Sequence, residues 1–250
     1  MITEKTTCPA LLTKRTAIHP SLCGADQRLS VRGAFSLLVD TAADHSEMIG
    51  TGCRDMRERH LFWLMTRAKI RFHSRPQMMD EITISTWPKA PGHFLCDRFY
   101  TVEQDGVCVL EGRQEWAVLD TDTTRPIRTE EIYPATLAPL SVEVLDTPFT
   151  RMRDTLEEAD LVYRTTVSPS DIDFGGHVNN VIYLRMISDS FTTAEGLALS
   201  PREVEVQYLS PCFEGEELSV LRKATEEGYA FAIRKPSGKT AFLARIALAR

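Results

Sequence analysis

Two stretches of the chain share the same alternation of apolar and polar positions. Residues 68–84 and 204–220 align without a gap, and each alternates with period two on both sides of a short polar turn. Such alternation predicts two half-buried strands joined by a turn in each copy. The matching apolar pairs are Ile70 with Val206, Phe72 with Tyr208, Ile82 with Leu218, and Ile84 with Val220.

The segments around these two copies also repeat in the same order. A run with helical spacing of apolar residues precedes each copy, over 34–49 and 180–197. A hairpin with a glycine-bearing turn follows each copy, over 94–119 and 229–248. The alternative is chance similarity between two amphipathic strand pairs, but the recurrence of helix and hairpin in the same order favours a true repeat.

A repeat of this size is typical of two copies of one unit that bury a face against each other. Between the copies, residues 121–160 contain Pro126, Pro134, Pro139 and Pro148 and show little sustained periodicity. This composition predicts a linker packed across the surface. The predicted organisation is therefore a first unit over 1–120, a linker over 121–160, and a second unit over 161–250.

Charge and composition narrow the class of partner. A net charge of −6 gives no global basic surplus, so nucleic acid is not an expected partner. Basic residues nonetheless cluster locally, and the cluster is either a docking surface for an acidic partner or an ordinary solvated face. Its members are Arg54, Arg57, Arg59, Arg67, Lys69, Arg71 and Arg75.

The cysteines and the apolar runs bear on location. Six cysteines occur without a C-x-x-C pair and without zinc-ligand spacing to histidine, so we expect reduced thiols, no metal, and a cytoplasmic protein. No long apolar run follows the N-terminus and no 18-residue apolar stretch occurs. A signal peptide and a membrane span are therefore not expected.

The segment 168–180 carries the candidate chemistry. Asp173 and His177 lie four residues apart in a turn with Gly175 and Gly176, directly before the second helical run. The start of a helix offers free N–H groups and a positive dipole end, here near residues 176–178, and an imidazole can move a proton. The pattern predicts carbonyl chemistry. The alternative is a structural role, in which the aspartate caps a turn and the histidine only packs.

Several of these segments together match one known family. In the first half they are 37–45, 61–67, and the Asp80-Glu81-Ile82 turn that leads to Trp87. In the second half the match is Asp171-Ile-Asp173-x-x-x-His177-Val-Asn179-Asn180-x-x-Tyr183. Over nearly its whole length the chain resembles the acyl–acyl-carrier-protein (acyl-ACP) thioesterases of plant plastids and bacteria.

The resemblance implies an α+β fold of two tandem hot-dog units, each a long central helix wrapped by a curved antiparallel sheet. It implies hydrolysis of a fatty acyl-ACP thioester to free fatty acid and ACP, with neither metal nor separate cofactor, in a monomer or homodimer. Asp173 and His177 take the catalytic positions. The residues expected to bind substrate are Gly175, Gly176, Asn180 and Cys212 in the second half, and Leu38 and Trp63 in an acyl-chain pocket of the first half.

The chain departs from the family pattern at two positions. Gly175 stands where the family has an asparagine, and Pro211 stands where it has a glutamate. We expect the glycine to leave space for a water, and Gly175→Asn to be tolerated. Two neighbours offer replacement groups: Glu214 if the turn is bulged, or Cys212 as a nucleophile with His177 as its base. A catalytically weak acyl-ACP or acyl-CoA binding protein, or an acyl-CoA thioesterase, are the alternative functions.

Overall fold

The computed structural model describes residues 9–145 and 147–249, and Cys8 lies outside the described residues. These residues form one antiparallel sheet of eleven strands with four α-helices. The strands are β1 Leu12–Ala17, β2 Leu61–Phe72, β3 Glu81–Pro88, β4 Leu95–Gln104, β5 Val107–Asp120, β6 Pro126–Ile127, β7 Leu161–Thr166, β8 Pro201–Tyr208, β9 Glu217–Thr225, β10 Gly228–Arg234 and β11 Thr240–Leu248. The helices are α1 Val31–Met48, α2 Cys53–Glu58, α3 Asn180–Ser188 and α4 Thr193–Ala198.

The order of the strands confirms the predicted repeat. The first half is ordered β1-β3-β4-β5-β2, and the second half continues as β8-β11-β10-β9-β7. Each half is thus a strand, a central helix and four further strands, and the two halves are arranged about the β2–β8 pair. The predicted hairpins also form, with Asp105 and Gly106 at φ 52° and 77° in the β4–β5 turn. The boundaries at residues 120 and 160 stay predictions.

One helix differs from its prediction. The run 180–197 was expected as a single helix, but it is divided into α3 and α4. The reason is local: the Thr192 hydroxyl accepts from the Glu195 N–H, and the Glu195 carboxylate accepts from the Thr192 N–H. This reciprocal cap begins a new helix at Thr193. The break also turns Phe191 onto the sheet, where its ring lies 5.0 Å from that of Tyr229.

The central helices α1 and α3 share one core. Phe35 and Leu38 of α1 and Leu184 and Ile187 of α3 are buried in a single apolar cluster with the inner faces of the strands. Burial of both helices on the same face leaves the opposite face of the sheet to be covered by something else. The linker supplies that cover.

Residues 142–145 and 147–156 of the predicted linker cross the outer face of the sheet. The Trp87 indole N–H donates to the Val142 carbonyl at 2.8 Å, and Leu156 packs with Leu221 and Leu243 in a second apolar cluster. The Phe149 ring lies 4.8 Å from the Arg113 guanidinium. No helix among the described residues is long and apolar enough to cross a membrane.

A buried ion pair lies where the two halves meet. Strands β2 and β8 pair with Lys69 directly opposite Glu205, and Lys69 Nζ lies 3.1 Å from Glu205 Oε2. Their side chains are only 3% and 4% exposed because the linker covers them. Lys69 also donates to the Pro148 carbonyl at 3.0 Å, and Glu205 accepts from the N–H and hydroxyl of Thr150. The pair therefore holds both halves and the linker at one point.

We predict that Lys69→Met destabilises the fold by about 3–5 kcal/mol, because it leaves a buried carboxylate without its cation. Lys69→Met combined with Glu205→Gln removes both charges but keeps an acceptor for Thr150, and should recover most of that loss. Urea unfolding measures both. Glu81→Gln is the control. Glu81 and its partner Arg15 are 79% and 78% exposed, and exposed ion pairs contribute little to stability. Equal losses in the single and double variants would contradict the prediction.

A second buried polar group lies on α1. His45 is fully buried, its Nδ1 accepts from Arg98 at 2.9 Å, and its Nε2–H donates to the Pro9 carbonyl at 2.9 Å. Burial, and then the Arg98 charge, lower the pKa of His45, and the bond to Pro9 opposes them only in part. The folded chain therefore holds this imidazole in its neutral form.

We predict that the free energy of unfolding decreases as the pH falls below about 6.5, the ordinary histidine pKa. The unfolded chain binds a proton there that folded His45 resists, so acid favours unfolding. Comparison of the wild-type chain with His45→Gln by urea unfolding at pH 7.5, 6.5 and 5.5 isolates this contribution. The same pH slope in both proteins would show that His45 does not contribute.

Candidate active site

A cavity of about 670 Å³ opens between the two halves at one end of the sheet. Its walls come from α2, the start of β2 and the end of β5 in the first half, and from the loop before α3 and the chain after β8 in the second. A pocket of this size, mainly apolar with a few polar groups, suits a small ligand. Representative lining residues are Leu61, Leu64, Leu119, His177, Tyr208 and Pro211.

The loop before α3 is held by its own hydrogen bonds. The Asp173 N–H donates to the His177 carbonyl at 3.0 Å, and the Gly176 N–H returns to the Asp173 carbonyl at 3.0 Å. The Asp173 carboxylate also accepts from the Gly175 N–H at 2.8 Å. Gly176 has φ 76°, a conformation that glycine adopts without strain. Asp173 therefore shapes the turn as well as facing the histidine.

The contacts of His177 define its neutral tautomer. Its Nδ1 lies 3.3 Å from the Val178 carbonyl and 3.7 Å from Asp173 Oδ1. Both neighbours only accept hydrogen bonds, so Nδ1 carries the proton and Nε2 is left with its lone pair. At 3.7 Å the carboxylate acts through its charge more than as a hydrogen-bond partner. The imidazole can accept a proton at Nε2 while the carboxylate stabilises the resulting cation.

Fewer amides are free at residues 176–178 than expected. The Gly176 N–H is bonded to Asp173, and the Val178 N–H donates to the Cys212 carbonyl at 2.9 Å. Within residues 9–145 and 147–249, the His177 N–H has no hydrogen-bond partner. Of the amides at 176–178, that of His177 is therefore the one available to a ligand oxygen.

The space beside Gly175 is not open, so this expectation was wrong. A Cβ at that position would lie 2.8 Å from Cε2 and Cζ of Phe62 and 3.1 Å from Asp173 Oδ1. The Phe62 ring also meets the His177 ring edge-on, with centroids 5.4 Å apart. A water has no room there while Phe62 holds this position, and an asparagine at 175 requires that the ring move.

Neither of the two proposed replacement groups lines the cavity. Glu214 is exposed in the turn after Pro211 and is not part of the cavity wall. Cys212 is fully buried in the main core, and burial raises the pKa of its thiol, opposed by the Tyr183 hydroxyl. A raised pKa lowers the thiolate population that a nucleophile needs. Pro211 does line the cavity.

The remaining substrate-binding candidates separate into two groups. Asn180, Gly175 and Trp63 line the cavity, whereas Leu38, on α1, is completely buried in the core. The Trp63 indole N–H donates to the Thr51 carbonyl at 2.9 Å, which orients the ring. The cavity thus draws its walls from both halves.

The basic cluster 54–75 is divided between two places. Lys69 is buried at the centre of the sheet, Arg71 pairs with Glu203 at 2.9 Å, and Arg75 pairs with Asp26 at 2.7 Å. Arg54 and Arg57 are instead exposed on α2 and line the cavity. The sequence predicted a single cluster because α2 and β2 follow each other in the chain.

Two features of the site were not predicted from the sequence. Phe62 contacts His177 across the boundary between the halves, and only the strand register brings them together. The loop before α1 also repeats the loop before α3: the Gly24 N–H donates to the Arg28 carbonyl at 2.9 Å, as Asp173 does to His177. The available signal was the Pro-Ser shared at 20–21 and 169–170, whose proline lies eleven residues before the first residue of the helix in each half.

The chain belongs to the acyl-ACP thioesterase family. The model of the acyl-ACP thioesterase N-terminal domain matches residues 11–136, and that of the C-terminal domain matches residues 155–248. The matched regions contain both walls of the cavity and the loop that carries Asp173 and His177.

Curated relatives and solved structures support this placement. The oleoyl-acyl carrier protein thioesterase of Coriandrum sativum is 24% identical over 67% of this chain and 50% of that protein. Oleoyl-acyl carrier protein thioesterase 1 of Arabidopsis thaliana is 21% identical over 82% of this chain and 61% of that protein. The chain thus spans about half to three fifths of the length of these relatives.

Two solved structures show the same tandem hot-dog fold. An acyl-ACP thioesterase from Bacteroides thetaiotaomicron superposes with a TM-score of 0.82 at 22% identity, covering 96% of this chain and 98% of that one. The 12:0-ACP thioesterase from Umbellularia californica gives 0.84 at 17% identity, with the same coverage of 96% and 98%. These likenesses confirm the predicted α+β fold of two hot-dog units.

We predict that iodoacetamide modifies Cys53 in the folded protein well before Cys212. Cys53 is exposed at the start of α2, whereas Cys212 requires local opening of the core before it reacts. Peptide mapping by mass spectrometry follows both sites, and urea should abolish the difference. Rapid native modification of Cys212 would restore it as a candidate nucleophile.

Proposed function

We propose that the chain hydrolyses fatty acyl-ACP thioesters to free fatty acid and ACP. The observation that carries this proposal is the position of His177 on the wall of an apolar cavity, with Asp173 beside its Nδ1. Membership of the acyl-ACP thioesterase family supports the reaction class. The acyl chain lies along the apolar walls, and its thioester carbonyl faces the loop before α3.

The residues divide the reaction between them as follows. His177 Nε2 takes a proton from the attacking water, and the Asp173 carboxylate stabilises the imidazolium. The His177 N–H and the N-terminal end of α3 stabilise the negative charge on the tetrahedral oxygen. Collapse of the intermediate breaks the carbon–sulfur bond, and the imidazolium returns its proton to the departing thiolate. The products are a carboxylic acid and the phosphopantetheine thiol of ACP.

We predict that His177→Ala lowers kcat/KM for acyl-ACP by at least roughly tenfold, because a positioned proton-transfer group is lost. Release of free thiol, followed with a chromogenic reagent, measures the rate. His93→Ala is the matched control, since His93 is exposed and lies outside the cavity. An unchanged rate in folded His177→Ala would remove His177 from the mechanism.

A second candidate function is binding without efficient turnover. It is favoured by Phe62, which fills the space beside Gly175, and by Pro211, which lines the cavity at the family's glutamate position. Single-turnover reactions with several acyl-ACP chain lengths separate the two functions. Saturable binding with no thiol released would favour the binding protein, and a comparison with acyl-CoA substrates tests the acyl-CoA thioesterase.

The partner is expected to approach the mouth of the cavity at Arg54 and Arg57. Both guanidinium groups are exposed on α2 and line the cavity, and exposed cations attract an acidic carrier protein over a distance. Of the other members of the basic cluster, Arg59 donates to the Glu131 carbonyl, and Arg67, Lys69, Arg71 and Arg75 each face a carboxylate of the chain. A cytoplasmic location and a monomeric or homodimeric state stay predictions from the sequence.

We predict that Arg54→Glu with Arg57→Glu raises KM for acyl-ACP several-fold and leaves kcat/KM for the uncharged acyl-pantetheine nearly unchanged. Rim charges act chiefly on association and on its salt dependence. Arg151→Glu with Arg153→Glu is the charge-matched control, because these arginines are exposed on the linker outside the cavity. Equal effects of both pairs would indicate net charge rather than a docking surface.

A further inference from the structure

One aromatic side chain of the first half touches the proposed catalytic loop of the second. Phe62, on β2, lies with its ring centroid 5.4 Å from that of His177 at an interplanar angle of 86°. It also lies 5.9 Å from the Phe174 ring. The first contact has the edge-to-face geometry that aromatic rings prefer.

The same ring occupies the space of a missing side chain. Cε2 and Cζ of Phe62 lie 2.8 Å from the point where a Cβ of residue 175 would stand. Gly175 has φ outside the left-handed region, so its backbone does not by itself demand glycine. A side chain at 175 therefore requires the far end of the Phe62 ring to shift, so the two positions are in direct contact.

The other contacts of His177 restrain its ring only weakly. The Nδ1–Val178 carbonyl distance is 3.3 Å, and the Asp173 carboxylate at 3.7 Å is beyond hydrogen-bond length. A half-turn about χ2 would exchange Nδ1 with Cδ2 and Nε2 with Cε1, and would take Nδ1 away from Asp173 and the Val178 carbonyl. The Phe62 ring is in edge-to-face contact with the imidazole, so a turn of the imidazole would disturb that contact.

We propose that Phe62 is a positioning residue of the active site. By occupying the space above Gly175, its ring holds the His177 imidazole with Nδ1 toward Asp173. The proposal rests on the proposed hydrolysis at His177. It makes the second half dependent on the first for the orientation of its base. A side chain at 175 and a ring at 62 are then alternative ways to fill one volume.

A double-mutant cycle tests this coupling. Phe62→Ala should lower kcat by on the order of tenfold to hundredfold with a smaller change in KM, since the base is misplaced while the cavity persists. Gly175→Asn alone should also lower kcat, because it displaces the ring. The double variant should be more active than the product of the two single effects predicts. Additive effects would overturn the coupling.

A spectroscopic readout separates this proposal from the proposed function. The nitrogen chemical shifts of neutral His177 report which ring nitrogen carries the proton. In the wild-type chain the Nδ1–H form should dominate, and Phe62→Ala should increase the Nε2–H form. An unchanged tautomer ratio in Phe62→Ala would overturn the positioning role even if the enzyme is active. A wild-type chain that releases no thiol would instead sink the hydrolysis, while the tautomer shift still decides the role of Phe62.

Two further variants guard the interpretation. Phe94→Ala removes an edge-to-face contact with His93, in which the ring centroids lie 4.7 Å apart. Both residues are on the surface outside the cavity. Activity and the His177 signals should therefore stay unchanged. Phe62→Leu keeps apolar volume in case Phe62→Ala does not fold, and should shift the tautomer ratio in the same direction. A wild-type ratio in folded Phe62→Leu would count against the ring as the positioning group.

Discussion

The antiparallel pairing of β2 with β8 is the constraint on which the rest of the structure depends. It joins two five-stranded units into one sheet and sets Arg67 opposite Gln207 and Arg71 opposite Glu203. If this pairing is extended beyond the end of β8, its register sets the start of β2 beside residues 210–212. The Cys212 carbonyl there holds Val178, the neighbour of His177. The cavity and the contact between Phe62 and His177 are therefore consequences of strand register.

Side chains reinforce this register. A slip by one residue would set Lys69 opposite Val204 or Val206, which are buried on the inner face, and would leave Glu205 alone beneath the linker. A buried ion pair adds little net stability relative to apolar residues of the same size, but it penalises misalignment strongly. The linker contributes because the Pro148 carbonyl accepts a hydrogen bond from Lys69, and the Thr150 hydroxyl donates one to Glu205. Specificity of alignment, more than strength, explains why charges lie at this position.

The sequence was sufficient for the fold and for part of the site. Period-two alternation in 68–84 and 204–220 located the repeated strand pairs, because a half-buried strand must alternate. Helical spacing of apolar residues did not predict the break within 180–197, because the capping pair at Thr192 and Glu195 outweighs continuous apolar spacing. Within the site, Asp173 and His177 are local in sequence and were found together, whereas Phe62 lies more than a hundred residues away. The occupied space beside Gly175 depends on that long-range contact, and no local pattern carries it.

The duplicated loop shows what the fold supplies and what it leaves to side chains. Both copies place a residue of positive φ, Gln27 at 58° and Gly176 at 76°, in a turn closed by the same backbone bonds. In the first copy Gly24 stands in the place of Asp173, and Arg28 in the place of His177. Arginine cannot act as a base at neutral pH, since its pKa exceeds 12. Identical backbone scaffolds therefore differ in chemistry by two side chains. The first half contributes instead as a wall, through the cavity-lining start of β2 and the ring that meets His177.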